Sequence, residues 1–167
     1  MSVLTPTLDR TGMRSLSASV DVDSPPEDVF SLVCSVEKWP VWLSFLRSAR
    51  RTAANEPIGL GSEVVLRSEI PGDAEELYEV DQFITNHCLS LVGAYSVRRR
   101  VEFKVEQKNS RSRLHVRLCY PSYHGKVAAF IDGLRHGRKL LAELHVAVNN
   151  FKGLVEYRRN DAALADL

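Results

Sequence analysis

Val127, Phe130, Ile131, Leu134, Leu141, Leu144, Val148, Phe151 and Val155 recur at three- and four-residue steps through residues 123–157, which places them along one side of a helix. A helix of that length runs about 50 Å, longer than most small domains are wide. Its apolar stripe therefore needs a broad covering surface, and the alternating segments upstream are the one candidate. Gly133 and Gly137 fall on or beside the stripe, where each costs about 1 kcal/mol of helix propensity relative to alanine. Two glycines there point to a close approach of the sheet or to space kept for another molecule.

The segment from Ser15 to Val22 alternates Leu16, Ala18, Val20 and Val22 with small or polar residues, the period of a half-buried strand. Ser24-Pro25-Pro26-Glu27 has the shape of a capping box, with Ser24 as N-cap and Glu27 reaching back. A short helix should follow, with Val29, Phe30, Leu32 and Val33 inward. Pro40 suits the first turn of a second short helix carrying Trp39, Trp42, Leu43 and Phe45. From Leu46 to Tyr120 strand patterns are separated by turn chemistry. Arg47–Ala54 is weak and polar; Val64, Leu66 and Ile70 share a face; so do Tyr78, Val80, Gln82 and Ile84. Turns are expected at Pro71-Gly72-Asp73, Asn86-His87 and Lys108-Asn109-Ser110. Val101, Phe103 and Val105, then Leu114, Val116, Leu118 and Tyr120, complete the inward pattern. Successive hairpins imply a curved antiparallel sheet with the long helix on its apolar face, an α+β architecture.

With 167 residues, 44% of them hydrophobic, the chain is the size of one domain with a substantial core. Residues 1–13 read as a loose arm, 14–158 as the domain and 159–167 as a tail. Twenty-two basic against 21 acidic side chains leave a formal charge of +1, which excludes a global field for nucleic acid or acidic membranes. Cys34, Cys88 and Cys119 are scattered without metal-ligand spacing and read as reduced, buried thiols. No apolar run is long enough to span a bilayer and the N-terminal stretch lacks a signal-peptide core, so a soluble, cytoplasmic protein is expected.

The segment VDVDSPPEDVFSLVCSVEKWPVW, from Val20 to Trp42, resembles the N-terminal signature of the START-like SRPBCC superfamily, in particular its polyketide cyclase/dehydrase branch. Asn149-Asn150-Phe151-Lys152-Gly153-Leu154-Val155-Glu156 is similar to that family's closing helix end, and Val101–Val105 with Leu114–Leu118 to its last two strands. The resemblance covers about residues 14–158. It implies a helix-grip fold, in which a curved antiparallel sheet wraps around the long C-terminal helix with two short helices after the first strand. It also implies a hydrophobic cavity between sheet and helix, for a lipid, polyketide, quinone or similar small apolar ligand, with no cofactor. Only some members are enzymes, so the fold leaves binding and cofactor-independent aromatase/cyclase-type catalysis both open.

The inward positions nominate the cavity lining. On the sheet these are Leu66, Tyr78, Val80, Gln82, Phe103, Leu114, Val116 and Tyr120; on the helix Phe130, Leu134 and Gly137. Tyr78, Gln82 and Tyr120 would supply the polar groups, although a filled core with hydrogen-bonded tyrosines accounts for the same residues. Of Trp39 and Trp42, one is expected to pin the short helices and the other to line the pocket. Tyr78, Tyr120 and His124 are the acid–base candidates if a reaction occurs, whereas His136 lies off the stripe and Arg67 alternates outward. There is no H-E-x-x-H, G-x-S-x-G, P-loop or Rossmann pattern, so metal, triad and nucleotide chemistries have no motif. The clusters Arg50-Arg51, Arg98-Arg99-Arg100 and Arg111/Arg113 would dock an anionic membrane surface or an acidic carrier protein if they shared a face, while solvated strand edges also carry such charge.

Overall fold

The computed structural model describes residues 7–8, 13–68, 74–121 and 128–165. Its elements in chain order are β1 (Thr7–Leu8), β2 (Met13–Val22), α1 (Pro26–Cys34), a 3-10 turn (Val36–Lys38), α2 (Trp39–Trp42), β3 (Leu46–Arg51), β4 (Glu63–Ser68), β5 (Ala74–Ile84), β6 (Cys88–Gly93), β7 (Ser96–Lys108), β8 (Arg111–Pro121) and α3 (Ala128–Ala165). The strands form one antiparallel sheet in the order β1-β2-β8-β7-β6-β5-β4-β3. Each consecutive pair from β3 to β8 is a hairpin, and β2 closes onto β8. Register shifts at Leu46/Ser48, Val80/Gln82 and Val92/Gly93 add local twist, which curls the sheet into a half-barrel. The turns at Asn86 and Asn109 carry φ of 59° and 55°, a left-handed conformation that asparagine tolerates.

α3 packs chiefly against β2, α1 lies over β7 and β8, and α2 with the 3-10 turn lies against β3. This is the α+β helix-grip arrangement read from the chain, with the short helices after the first long strand. The core between these layers is centred on four aromatic rings. Phe103 of β7 meets Trp39 at 5.0 Å and Trp42 at 6.0 Å between centroids, and Trp42 meets Phe151 of α3 at 4.8 Å. All four are fully buried, so sheet, short helices and long helix are joined at one point. Polar ties reinforce the joint. Ser44 Oγ donates to Glu143 Oε2 at 2.6 Å, and the Asp23 amide donates to Glu156 Oε1 at 3.0 Å, so α3 is held to the chain on either side of the short helices.

Three local expectations need correction. The N-cap of α1 is Pro25, not Ser24, with Pro26 in the first turn and no side-chain cap. Ser24 is instead fully buried; its carbonyl accepts from Ser112 Oγ at 2.8 Å, which ties the start of α1 to β8. The stretch taken as a loose arm contains β1, which pairs Thr7 with Ser15 and Leu8 with Arg14. The stretch taken as a tail continues α3 to Ala165, since alanine-rich Asp161-Ala162-Ala163-Leu164-Ala165 favours the helix without needing a packed face.

If the aromatic joint holds the layers together, Phe151→Ala should lower the unfolding free energy by about 3–5 kcal/mol, and Phe151→Leu by about 1.5 kcal/mol or less. Urea denaturation followed by tryptophan fluorescence measures both; equal, small losses would remove the joint from its central place.

Candidate functional site

Among the described residues, burial of the sheet's inner face falls from one end, here the closed end, toward the other, the open end. Along β7, Val105 and Phe103 are buried, whereas Val101 and Arg99 are half-buried. β8 repeats this gradient: Leu114 and Val116 are completely covered, Leu118 is nearly so, and Tyr120 is half-buried. On β2, Val22, Ala18 and Leu16 are buried and Arg14 is half-buried. The closed end is where α1, α2 and the four-ring joint fill the concavity. At the open end an apolar valine in a central strand, facing inward, keeps part of its surface uncovered.

Polar side chains gather at that open end. Arg14 stands opposite Tyr120 in the β2–β8 register. Arg99 is the inward residue beyond Val101, whose partner on β8 is Leu118, so it comes level with Tyr120 on the neighbouring strand. Across the sheet, the Tyr78 hydroxyl donates to Glu76 Oε2 at 3.1 Å, and Arg99 Nη1 pairs with Glu76 Oε1. Burial pushes the Tyr78 phenol well above the usual tyrosine range; the Glu76 charge adds to this and Arg99 opposes it. Burial also raises Tyr120, against a hydrogen bond from Arg14. Two guanidinium groups, two phenols and a carboxylate thus ring an apolar floor.

The expected lining residues divide into three groups. Leu66, Tyr78, Val80, Phe103, Leu114 and Val116 face inward and are buried, Tyr120 is half-buried, and Gly137 is buried on α3. Gln82 is a correction: the bulge between Val80 and Gln82 inserts one residue, which reverses the alternation and leaves Gln82 exposed, where its Oε1 accepts from Cys88 Sγ at 3.6 Å. Phe83 takes the inward phase and packs against Phe30 at 5.6 Å. His124 lies outside the described residues, as do the side chains of Phe130, Leu134 and His136.

Trp39 and Trp42 are both completely buried at the closed end, against the ring of Phe103. The Trp39 indole donates to the Val33 carbonyl at 2.8 Å and pins α1 to the short helices. Among the described residues the Trp42 indole nitrogen has no hydrogen-bond partner, and it lies among the rings of Phe103 and Phe151.

Glu76, Arg99 and Arg14 are inward polar groups of the candidate site that sequence reasoning missed as such. The available signal was phase: Arg99 alternates with Val101, Phe103 and Val105, Arg14 with Leu16 and Ala18, and Glu76 with Tyr78 and Val80. The described arginines of the clusters each have an acidic partner, and the side chain of Arg98 lies outside the described residues. Arg50 pairs with Glu75, Arg51 with Glu37, Arg100 with Asp81, Arg111 with Asp23 and Arg113 with Asp21. Among the described residues no three His, Cys, Asp or Glu side chains converge as a metal site, and no helix is long and apolar enough to cross a membrane.

A family model described as "Polyketide cyclase / dehydrase and lipid transport" matches residues 13–156. Among curated proteins none matches the chain. Solved structures similar to it include TTHA0849 from Thermus thermophilus, 13% identical, with 86% of this chain and 98% of that one covered and a TM-score of 0.69. The Zhui aromatase/cyclase from Streptomyces sp. R1128 is 15% identical over 87% of this chain and 95% of its own, with a TM-score of 0.63. A START superfamily protein from Mycobacterium smegmatis is 20% identical over 86% and 97%, with a TM-score of 0.53. At these identities the likeness establishes the fold.

The perturbed groups make stability depend on alkaline pH. Burial pushes Cys34 up to about 11, and Tyr78 lies above its usual range, so the folded chain keeps protons that the unfolded chain gives up. Their contribution is complete below the unfolded values and is lost as pH rises beyond about 8.5 for the thiol and about 10 for the phenol. Urea titrations at stepped pH should show this decline, with Cys34→Ala removing its earlier part and Tyr78→Phe its later part. An unchanged slope in both variants would refute the assignment.

Proposed function

The chain belongs to the polyketide cyclase/dehydrase and lipid transport family, and from that premise we propose that it binds a small hydrophobic ligand on the concave face of the sheet, beneath α3. The observation that carries this reading is the burial gradient along β7. Phe103 is sealed by aromatic rings, whereas Val101, one inward position further, is half-uncovered beside the polar ring of Arg99, Tyr78, Glu76, Tyr120 and Arg14. An apolar floor with a few convergent polar groups is the chemistry of a small-molecule site. The lining is then Val101, Leu118 and Tyr78 around the body of the ligand, with the polar ring at its outer end. Leu66, Val80, Leu114 and Val116 form the floor beneath, and Trp39 and Trp42 support that floor.

A cofactor-independent aromatase/cyclase-type reaction is the second reading, favoured by the Tyr78–Glu76–Arg99 array and by the name of the Zhui neighbour. A carboxylate and a phenol in contact can pass a proton, and a guanidinium can polarise a carbonyl. Turnover of a poly-ketone that is unaffected by Tyr78→Phe and Glu76→Gln would set this reading aside.

Native mass spectrometry of the purified protein, followed by denaturing extraction, tests the binding function directly: an extractable apolar molecule accounting for added mass is the expected result. Val101→Trp should fill the uncovered space and weaken binding of a neutral apolar dye such as Nile red by about tenfold, ~1.4 kcal/mol, with the fold retained by circular dichroism. Undiminished dye binding by a folded Val101→Trp protein would move the site elsewhere.

A further inference from the structure

We propose that the solvent side of α3 is an interface on which a second copy of this chain docks antiparallel, with the twofold axis passing between Asn149 and Asn150.

The inward side of α3 is defined by Leu144, Ala147, Val148, Phe151 and Val155, all buried. Ala142, Val146, Asn149, Gly153 and Tyr157, at steps of three and four, lie on the opposite side and are exposed. The outer side of a surface helix ordinarily carries charge. Here, among the described residues, that line runs from Ala142 to Tyr157 without a charged side chain, and Val146 keeps 52% and Tyr157 70% of its surface exposed. The charged residues of the same stretch lie on the flanks. Glu143 accepts from Ser44 Oγ, and Glu156 accepts from the Asp23 amide and pairs with Lys152. A charge-free centre that presents an aromatic ring is the composition of an interface core.

Gly153 is a separate observation. A glycine within a helix costs about 1 kcal/mol relative to alanine. Nothing in the chain lies within 4 Å of the place where its Cβ would stand, so packing within the chain does not require the missing side chain. The close approach of another helix does.

The line is complementary to itself when reversed. A twofold interface sets residue i against j and j against i. With the axis between Asn149 and Asn150, Val146 falls against Gly153 of the second copy and Tyr157 against Ala142, a large residue on a small one each time. Farther out, Arg138 and Asp161, both exposed, come level with one another and place opposite charges at each end of the seam. A parallel copy would set Tyr157 against Tyr157 and Arg138 against Arg138. The seam is about 35 Å long and one helix, about 10 Å, wide. That is less than the roughly 800 Å² per partner of a stable dimer, so the association is weak, with a dissociation constant on the order of 50 μM.

Sedimentation velocity on the full chain from about 5 to 500 μM, a range spanning that constant, should show a reversible monomer–dimer equilibrium. Val146→Asp and Gly153→Arg, both at exposed positions, should abolish the dimer while leaving the circular dichroism spectrum unchanged. Arg138→Asp and Asp161→Arg should each weaken it about fivefold, because each puts like charges together at both ends of the seam, and the double variant should regain the original affinity. A change in folding would not produce that rescue. A chain monomeric throughout the range, or a dimer indifferent to Val146→Asp and Gly153→Arg, overturns the proposal. So does a double variant no tighter than the single ones, which would exclude the antiparallel register. A monomeric chain that binds phosphatidylcholine vesicles, and loses them on Val146→Asp, assigns the face to a lipid surface and overturns the second copy.

Discussion

The contact of Phe103 with the two indoles is the interaction on which the rest of the structure depends. A half-barrel sheet has one concave face, and a single long helix cannot cover all of it. Trp39 and Trp42, three residues apart on a short helix, fill what α3 leaves at one end, and Phe151 completes the cluster from the helix side. Ring contacts of this kind contribute about 0.5–1.5 kcal/mol each beyond their buried area, and here they fill one end of the concave face. Everything beyond Phe103 along β7 is left to other groups.

At the other end charge takes over from packing. Arginine and glutamate on an inward face are costly to desolvate, and they persist there because Arg99, Glu76 and Tyr78 satisfy one another while Arg99 and Glu76 remain partly solvated. The outer face follows a different rule. There Arg100, Arg111 and Arg113 are matched to Asp81, Asp23 and Asp21 across strands or to the adjoining turn, so the outer surface carries charge without a strong local field.

The hairpin order, the short helices and the long helix were legible in the chain because each rests on local periodicity. So were the inward positions of Phe103, Leu114, Val116, Val80 and Leu66, since alternation passes unbroken through them. Gln82 was misplaced because a bulge is a relation between two strands; nothing in Asp81-Gln82 announces that the partner strand supplies one residue fewer. Ser24 was misread for a related reason: a capping motif and a buried tie to Ser112 look alike until the distant strand is present. Arg99 was hidden in a run of arginines that read as surface charge, although its phase matched that of Phe103.

What the chain alone settles is the kind of fold, since helix and strand periods, turn residues and the long apolar stripe are properties of neighbours along the backbone. The extent of the plug and the composition of the polar ring were decided by tertiary structure. Trp42 and Phe151 are more than a hundred residues apart, and Glu76 meets Arg99 only because β5 and β7 flank β6 in the curled sheet. The pairing of such groups depends on curvature and register, which arise only after all the strands have closed upon one another.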